Sequence, residues 1–274
     1  MNALKQLKYS PFGPLLTLPQ RLRIGTRHLA RQTALVLRWW CTSREWTNFS
    51  LNFSPIGLAS LNASVATLLS RPYDEIAAYT QEFLTDHALS RRLDQRRSSS
   101  PLRFVTDGNA YRGKCLLNYV LVRASRARTV FEAGTAQGLS AVCMAEALRR
   151  NAQELHQPCR LYTVDLQQDR SLYLAPDDAD MVTRLVGDSV EALRKVPEHI
   201  DLFLHDTLND PEHTARQFAT LLPQLAPGGV IHTSWFNDTF VRMGAQHGMR
   251  LLPLRIEAEH HWYSSHAGLA VRRA

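Results

Sequence analysis

Hydrophobic positions along the chain follow two periods. From residue 128 onward, short apolar runs alternate with stretches whose apolar residues recur at helical spacing. The runs at 129–131, 160–164, 183–186, 201–205, 229–233, 251–256 and 269–272 predict strands. Those at 139–150, 190–195, 212–225 and 236–247 predict helices. Such βαβα alternation predicts an α/β domain, a mainly parallel sheet with helices on both faces. Upstream the pattern is helical. PYDEIAAYTQEFL at 72–84 repeats Ile76, Ala77, Tyr79, Phe83 and Leu84 at helical spacing, residues 52–62 predict a loop leading into a helix, and 109–125 predict one more helix. RRLDQRRSSS at 91–100 is polar and stops before Pro101, which predicts an exposed connection. Pro11, Gly13, Pro14 and Pro19 argue against regular structure in the first twenty residues. Three regions follow: 1–44, a helical cap at 45–125, and an α/β core at 126–274.

Charge singles out the first region. Residues 1–44 hold eight of the 32 basic residues and none of the 25 acidic ones, so the other 230 carry a net charge of −1. On a helical wheel of 21–40, Arg23, Arg27, Arg31 and Arg38 share one face, opposite Leu22, Leu29, Val36 and Trp40. Two readings stand. The stripe suits the surface of an anionic membrane. It also suits a helix packed on the body or on a second subunit, a homodimer, with its arginines in solvent. An organellar transit peptide shares the Arg-rich, acid-free composition. The near-neutral body gives no reason to expect a nucleic-acid partner.

Composition adds little more. At 45% hydrophobic and 21% charged the chain is globular in type, and no apolar run approaches membrane-spanning length. Cys41, Cys115, Cys143 and Cys159 form no CxxC pair and read as packed thiols of a reducing compartment. The expected location is cytoplasmic, peripheral to a membrane if the arm docks there.

In an open parallel sheet, ligands bind beyond the C-terminal strand ends. After the first strand stand Glu132, Gly134, Thr135 and Gly138, after the second Asp165, after the third Asp188 and Ser189, and after the fourth His205 and Asp206. Gly134 can take the backbone angles of a tight turn, and Gly138 lets the helix start approach a ligand. Asp165, 27 residues beyond Gly138, is placed to accept from both ribose hydroxyls. Asp188 either accepts from an adenine amine or caps the next helix. Each feature alone is weak; the ordered set predicts a nucleotide-type cofactor site.

The turn reads ExGxxxG, without the first glycine of the nicotinamide fingerprint. It resembles the first motif of class I S-adenosylmethionine-dependent methyltransferases. Asp165, the GDS of 187–189, IDLFLHD at 200–206, LAPGGVI at 225–231 and EAEHHWYSSHAGLAVRR at the end resemble that family's later motifs in order, over roughly 126–274. TNFSLNFSP at 47–55, the helix before VFEAG and FLHDTLNDPEHTARQF at 203–218 resemble a narrower group, bacterial small-molecule O-methyltransferases related to macrocin O-methyltransferase. The resemblance implies a Rossmann-like, seven-stranded sheet with an antiparallel last strand and an N-terminal helical extension. It implies S-adenosyl-L-methionine as cofactor. Gly134 and Gly138 would border its methionine and ribose parts, with Glu132 and Thr135 in the same turn and Glu132 meeting the methionine end. Asp165 would hold the ribose, Asp188 and Ser189 the adenine.

The implied reaction is O-methylation of a small molecule: a sugar, a natural product or a lipid-linked glycan. Some relatives use Mg²⁺ held by an acid after strand four and adjacent acids after strand five. Asp206 keeps the first position, but 232–238 read HTSWFND, with only Asp238 in reach, so Mg²⁺ is disfavoured and no metal is assigned. His205 or Asp206 is then the expected base, His205 with the alternative of a buried, hydrogen-bonded side chain. Glu259, His260, His261, Trp262 and Tyr263 could line the acceptor pocket. Two other functions stand beside this one. A non-catalytic binding or assembly protein would explain the missing acid pair. A nucleic-acid methyltransferase would use the arm as a grip, but 205–208 lack the usual Asn/Asp-Pro-Pro-aromatic motif.

Overall fold

A computed structural model describes residues 10–11, 13–46, 50–167, 173–197, 199–256 and 265–273. Among the described residues, seven strands form one sheet: β1 (Thr129–Ala133), β2 (Arg160–Asp165), β3 (Val182–Val186), β4 (Ile200–His205), β5 (Leu225–Thr233), β6 (Arg250–Ile256) and β7 (Ser265–Val271). Their spatial order is β3-β2-β1-β4-β5-β7-β6. The first five pair in parallel, and β7 runs antiparallel to both β5 and β6. All five residues of β1 are buried, as a central strand covered on both faces requires. The order reverses between β1 and β4, and a ligand crevice is expected at that point. The topology is Rossmann-like.

The helices are α1 (Gly13–Leu16), α2 (Leu18–Thr42), α3 (Pro55–Leu69), α4 (Tyr73–Leu84), α5 (His87–Ser99), α6 (Arg112–Ala124), α7 (Leu139–Leu155), α8 (Ser189–Leu193), α9 (Pro211–Leu221) and α10 (Asp238–Gln246). Strand alternation sorts the core into two halves. Val130, Leu202, Leu204 and Val230 pack in one cluster with Leu117, Leu121, Met144 and Leu148 of α6 and α7. Phe131, Ala133, Phe203 and Ile231 pack in the other with Leu193, Phe218 and Phe240 of α8, α9 and α10. Phe131 and Phe203 stack with ring centroids 5.8 Å apart.

Eleven of the thirteen residues of α6 are buried, and its apolar side chains pack in one cluster with those of the sheet. Two expectations need correction. Residues 91–100 are not a connection but most of α5. Its arginines clip it to the core, Arg92 on Glu146 at 2.9 Å and Arg96 on Asp178 at 2.7 Å, so the polar run is one face of a helix. The prolines near the start do not prevent helix: Pro19 lies in the first turn of α2, where its missing N–H and fixed φ cost nothing.

Arg123 ties α6 to its neighbours. Only 2% of its side chain is exposed. Its Nε donates to Glu82 on α4 at 2.8 Å and its Nη1 to Asn151 on α7 at 2.6 Å, while Nη2 pairs with Glu154. Tyr119 Oη donates to the same Glu82 at 2.6 Å. A buried guanidinium requires such a full set of acceptors.

Candidate active site

The turn after β1 is held by its neighbours on both sides. The backbone N–H groups of Gly134 and Thr135 both donate to the Val164 carbonyl of β2, at 2.9 and 3.1 Å. Gly134 has φ +101°, and a Cβ there would overlap the Asp206 carbonyl, its carbon only 2.8 Å away. Gly138 has φ +80°, and a Cβ there would sit 2.9 Å from Cγ of Leu174. Both glycines are therefore required by close approach as well as by backbone angle. The segment carrying Leu174 is fixed in turn by α5, since Arg96 donates to the Tyr173 carbonyl at 2.5 Å and to Asp178.

Glu132 and Thr135 lie beneath the turn rather than on its open side. Glu132 is fully buried and Thr135 is 4% exposed. Thr163 donates to Glu132 at 2.5 Å, Thr135 and Thr163 share a bond of 2.6 Å, and Ser140 at the start of α7 donates to the other carboxylate oxygen. Burial raises the Glu132 carboxyl to about 7, against the opposing pull of the Ser140 and Thr163 hydroxyls. Both residues shape the loop from below.

Asp165 stands at the tip of β2 beside the turn. Its Oδ2 accepts from the Ala136 N–H at 2.8 Å and its Oδ1 from Gln167 N–H at 3.1 Å. A carboxylate has about four acceptor positions, so roughly two remain for a ligand. Asp188 caps α8, accepting from Val190 N–H at 2.8 Å and Glu191 N–H at 3.2 Å through Oδ1. Its Oδ2 lies 3.9 Å from Nδ1 of His213. Ser189 is 6% exposed and turns toward α9, where Gln217 donates to it at 2.6 Å and His213 lies 3.2 Å away.

His205 and Asp206 part company at the end of β4. His205 is 1% exposed, packed against Phe218 with its Nδ1 3.0 Å from Thr233 Oγ1. Burial lowers its imidazole to about 4, so it is neutral at pH 7. The imidazole lies under α9, against Phe218 and Thr214, which is the buried, hydrogen-bonded alternative to its role as a base. Asp206 leaves the strand and pairs with Lys114 of α6, both side chains about one-fifth exposed. Lys114 is the site residue that sequence reasoning missed; it lies 92 residues away, and no local pattern marks it. Tyr111 stands one turn before it with φ +56°, its phenol pushed up by burial and by the charges of Asp206 and Glu45.

His232 and Thr233 close β5, where the run at 229–233 predicts the strand to end. His232 is buried, with Nδ1 2.7 Å from Asn118 Oδ1, and burial holds its imidazole at about 3. Asp238 opens α10, is largely exposed, and pairs with Arg242 of its own helix at 2.6 Å. Among the described residues no three His, Cys, Asp or Glu side chains converge as a metal site. Trp235 reaches back to donate to the Thr207 carbonyl at 2.9 Å, and Asn237 donates to Asn209 at 2.7 Å, so the β4 and β5 loops form one rim. Leu208, Trp235 and Phe236 are exposed along it. Residues Glu259 to Tyr263, expected to line an acceptor pocket, lie outside the described residues.

Comparison with known proteins agrees with this geometry. A methyltransferase-domain family matches residues 131–234, from β1 to the end of β5. No curated protein matches the chain. Among solved structures, the O-methyltransferase TomG from Streptomyces achromogenes, in complex with SAM, is 20% identical over 81% of this chain and 100% of its own, with a TM-score of 0.50. An O-methyltransferase from Bacillus cereus in complex with SAH is 15% identical over 79% of this chain and 98% of its own, at 0.49. At 20% identity and a TM-score of 0.50, the likeness to TomG establishes the fold. The methyltransferase-domain match at 131–234 falls on the segment that carries the turn and the strand ends, within a sheet of the fold that TomG shares.

Proposed function

We propose that the chain transfers a methyl group from S-adenosyl-L-methionine to a hydroxyl of a small-molecule acceptor, without Mg²⁺. The observation that carries this is the Gly134–Gly138 turn at the β1/β4 switch point, with Asp165 strapped to it and half its acceptor capacity open. The residues fit the cofactor. Asp165 would hold the ribose hydroxyls, the outer oxygen of Asp188 would meet the adenine edge, and the turn glycines would leave the backbone bare for the rest. S-adenosyl-L-methionine supplies, when bound, a methyl group activated on a sulfonium sulfur.

The chain's own residues handle the acceptor. Asp206 would take the proton of the acceptor hydroxyl, and the Lys114 ammonium beside it would offset the negative charge left on the acceptor oxygen. This pair takes the place of a metal in lowering the cost of the alkoxide. Ser189 and Thr135 serve as supports, each buried and bonded within the protein. The apolar rim of Leu208, Trp235 and Phe236 favours an acceptor with a hydrophobic part, such as a natural product or a lipid-linked sugar.

Calorimetric titration of S-adenosylmethionine and S-adenosylhomocysteine tests the reading. Micromolar binding is expected in the wild type, weakened about tenfold or more in Asp165→Ala, which is about 1.4 kcal/mol. A folded wild type that binds neither refutes it. Transfer that stops in EDTA and returns with Mg²⁺ refutes the metal-free part alone.

A further inference from the structure

We propose that α2 docks the protein on an anionic lipid surface. The helix has 25 residues and none is buried. At 1.5 Å per residue it is about 37 Å long. Leu18, Leu22, Leu29, Val36 and Trp40 fall within about 40° of one another around its axis. Four of the five are exposed, Leu22 at 58%, Leu29 at 66% and Trp40 at 67%, and Leu15 and Leu16 of α1 are exposed as well. A run this long of uncovered leucines and a tryptophan on one helix calls for a partner surface.

Charge selects the partner. Residues 1–44 carry eight basic side chains and no acidic one, while the rest of the chain has a net charge of −1. A second copy packed on the apolar stripe would leave the arginines in solvent and give them no acidic partner. Lipid headgroups supply that charge, and the acyl layer takes the apolar stripe. With the apolar face sunk about 5–10 Å into the headgroup and acyl boundary, Arg23, Arg27, Arg31 and Arg38 on the other face stand at headgroup level. No described helix is long and apolar enough to cross a membrane, so α2 lies on the surface rather than spanning it.

The helix is also joined to the body at a telling place. Ser43 Oγ donates to Asp107 at 2.7 Å, and Arg44 N–H to the same carboxylate at 3.3 Å. Glu45 holds Ser50, which bridges to Ala110, the residue before Tyr111 and four before Lys114. A helix bound to lipid would hold the Lys114–Asp206 mouth close to that surface. Resting on the proposed transferase reading, this points to an acceptor carried in the lipid layer.

Sedimentation of the full chain with vesicles tests docking without any turnover. Binding is expected to phosphatidylcholine mixed with phosphatidylglycerol and not to phosphatidylcholine alone, and it should weaken with salt. Two variants confined to exposed positions are compared, Leu22→Ser/Leu29→Ser/Trp40→Ser and Arg23→Glu/Arg27→Glu/Arg31→Glu. Each should weaken vesicle binding about tenfold or more, about 1.4 kcal/mol, while S-adenosylmethionine binding in the same samples is unchanged. The inference is overturned if the wild type ignores the mixed vesicles or if either variant binds as the wild type does. It is equally overturned if velocity sedimentation without lipid shows a dimer that the leucine variant dissolves. Loss of cofactor binding by the wild type would instead count against the transferase reading and leave docking standing.

Discussion

Replacing Gly134 by alanine should destabilise the protein by about 3–5 kcal/mol, and the figure can be taken apart. Two costs combine. A side chain at φ +101° is strained by about 1–3 kcal/mol. The new Cβ also meets the Asp206 carbonyl and, at 3.4 Å, the Thr207 nitrogen. Those atoms are backbone and cannot swing aside, so the β1 turn and the end of β4 must separate. The bonds at risk are Gly134 N–H to Val164 O and Asp206 N–H to Ala133 O, both 2.9 Å and worth about 1 kcal/mol each. Gly187 provides the control. Its φ is +127° and no atom lies within 4 Å of where its Cβ would be, so Gly187→Ala carries only the backbone cost. Urea unfolding followed by circular dichroism and fluorescence, with the slope checked for constancy, gives both values. Gly134→Ala should exceed Gly187→Ala by about 2 kcal/mol. Equal losses within about 0.5 kcal/mol would refute the close approach of the turn to β4.

Further outcomes follow from buried charge. Glu132 has a carboxyl raised from 4.5 to about 7, so the native state holds its proton more tightly than the unfolded chain. Stability should therefore fall as the pH rises from about 4.5 to about 7, and Glu132→Gln should remove that fall. The difference between variant and wild type in urea midpoints against pH isolates it, because His205 and His232 act oppositely in both proteins. Arg123→Met strands Glu82 and Asn151 and should cost about 3–5 kcal/mol by the same unfolding assay. Lys114→Gln should lower kcat about tenfold or more while cofactor affinity, by calorimetry, stays within about twofold.

Local chemistry is legible in the order of the residues. Strand, glycine turn and helix are contiguous, so ExGxxxG at 132–138 and the strand-end position of Asp165 can be read from spacing alone. The extent of α5 cannot, because RRLDQRRSSS looks like solvent-exposed linker until Glu146 and Asp178 are brought opposite its arginines. Lys114 is hidden for the same reason. Its partner is distant in sequence, and only the packing of α6 against the sheet joins them. The choice between His205 and Asp206 stays open in the sequence for a different reason. IDLFLH is apolar on both faces of a doubly covered strand, so its pattern carries no phase to show which side chain points under α9 and which leaves the sheet.

Asp165 shows why a residue read as a ligand contact can be a scaffold as well. Its two oxygens already accept from Ala136 and Gln167, and Ala136 sits at φ +44°, a conformation that a tight turn must pin in place. The turn is thus tied by the protein's own hydrogen bonds. Such ties restrict the loop, and a restricted loop lowers the entropy cost of binding. Two losses are therefore combined in Asp165→Ala: contact with the ligand and order in the turn. Asp165→Asn separates them. One amide oxygen can keep the bond to Ala136 N–H, while the amide nitrogen cannot accept from a hydroxyl. If Asp165→Asn keeps wild-type stability yet binds S-adenosylmethionine about tenfold more weakly, the carboxylate acts on the ligand directly. If it binds as the wild type does, the strap alone explains why an acid stands at that strand end.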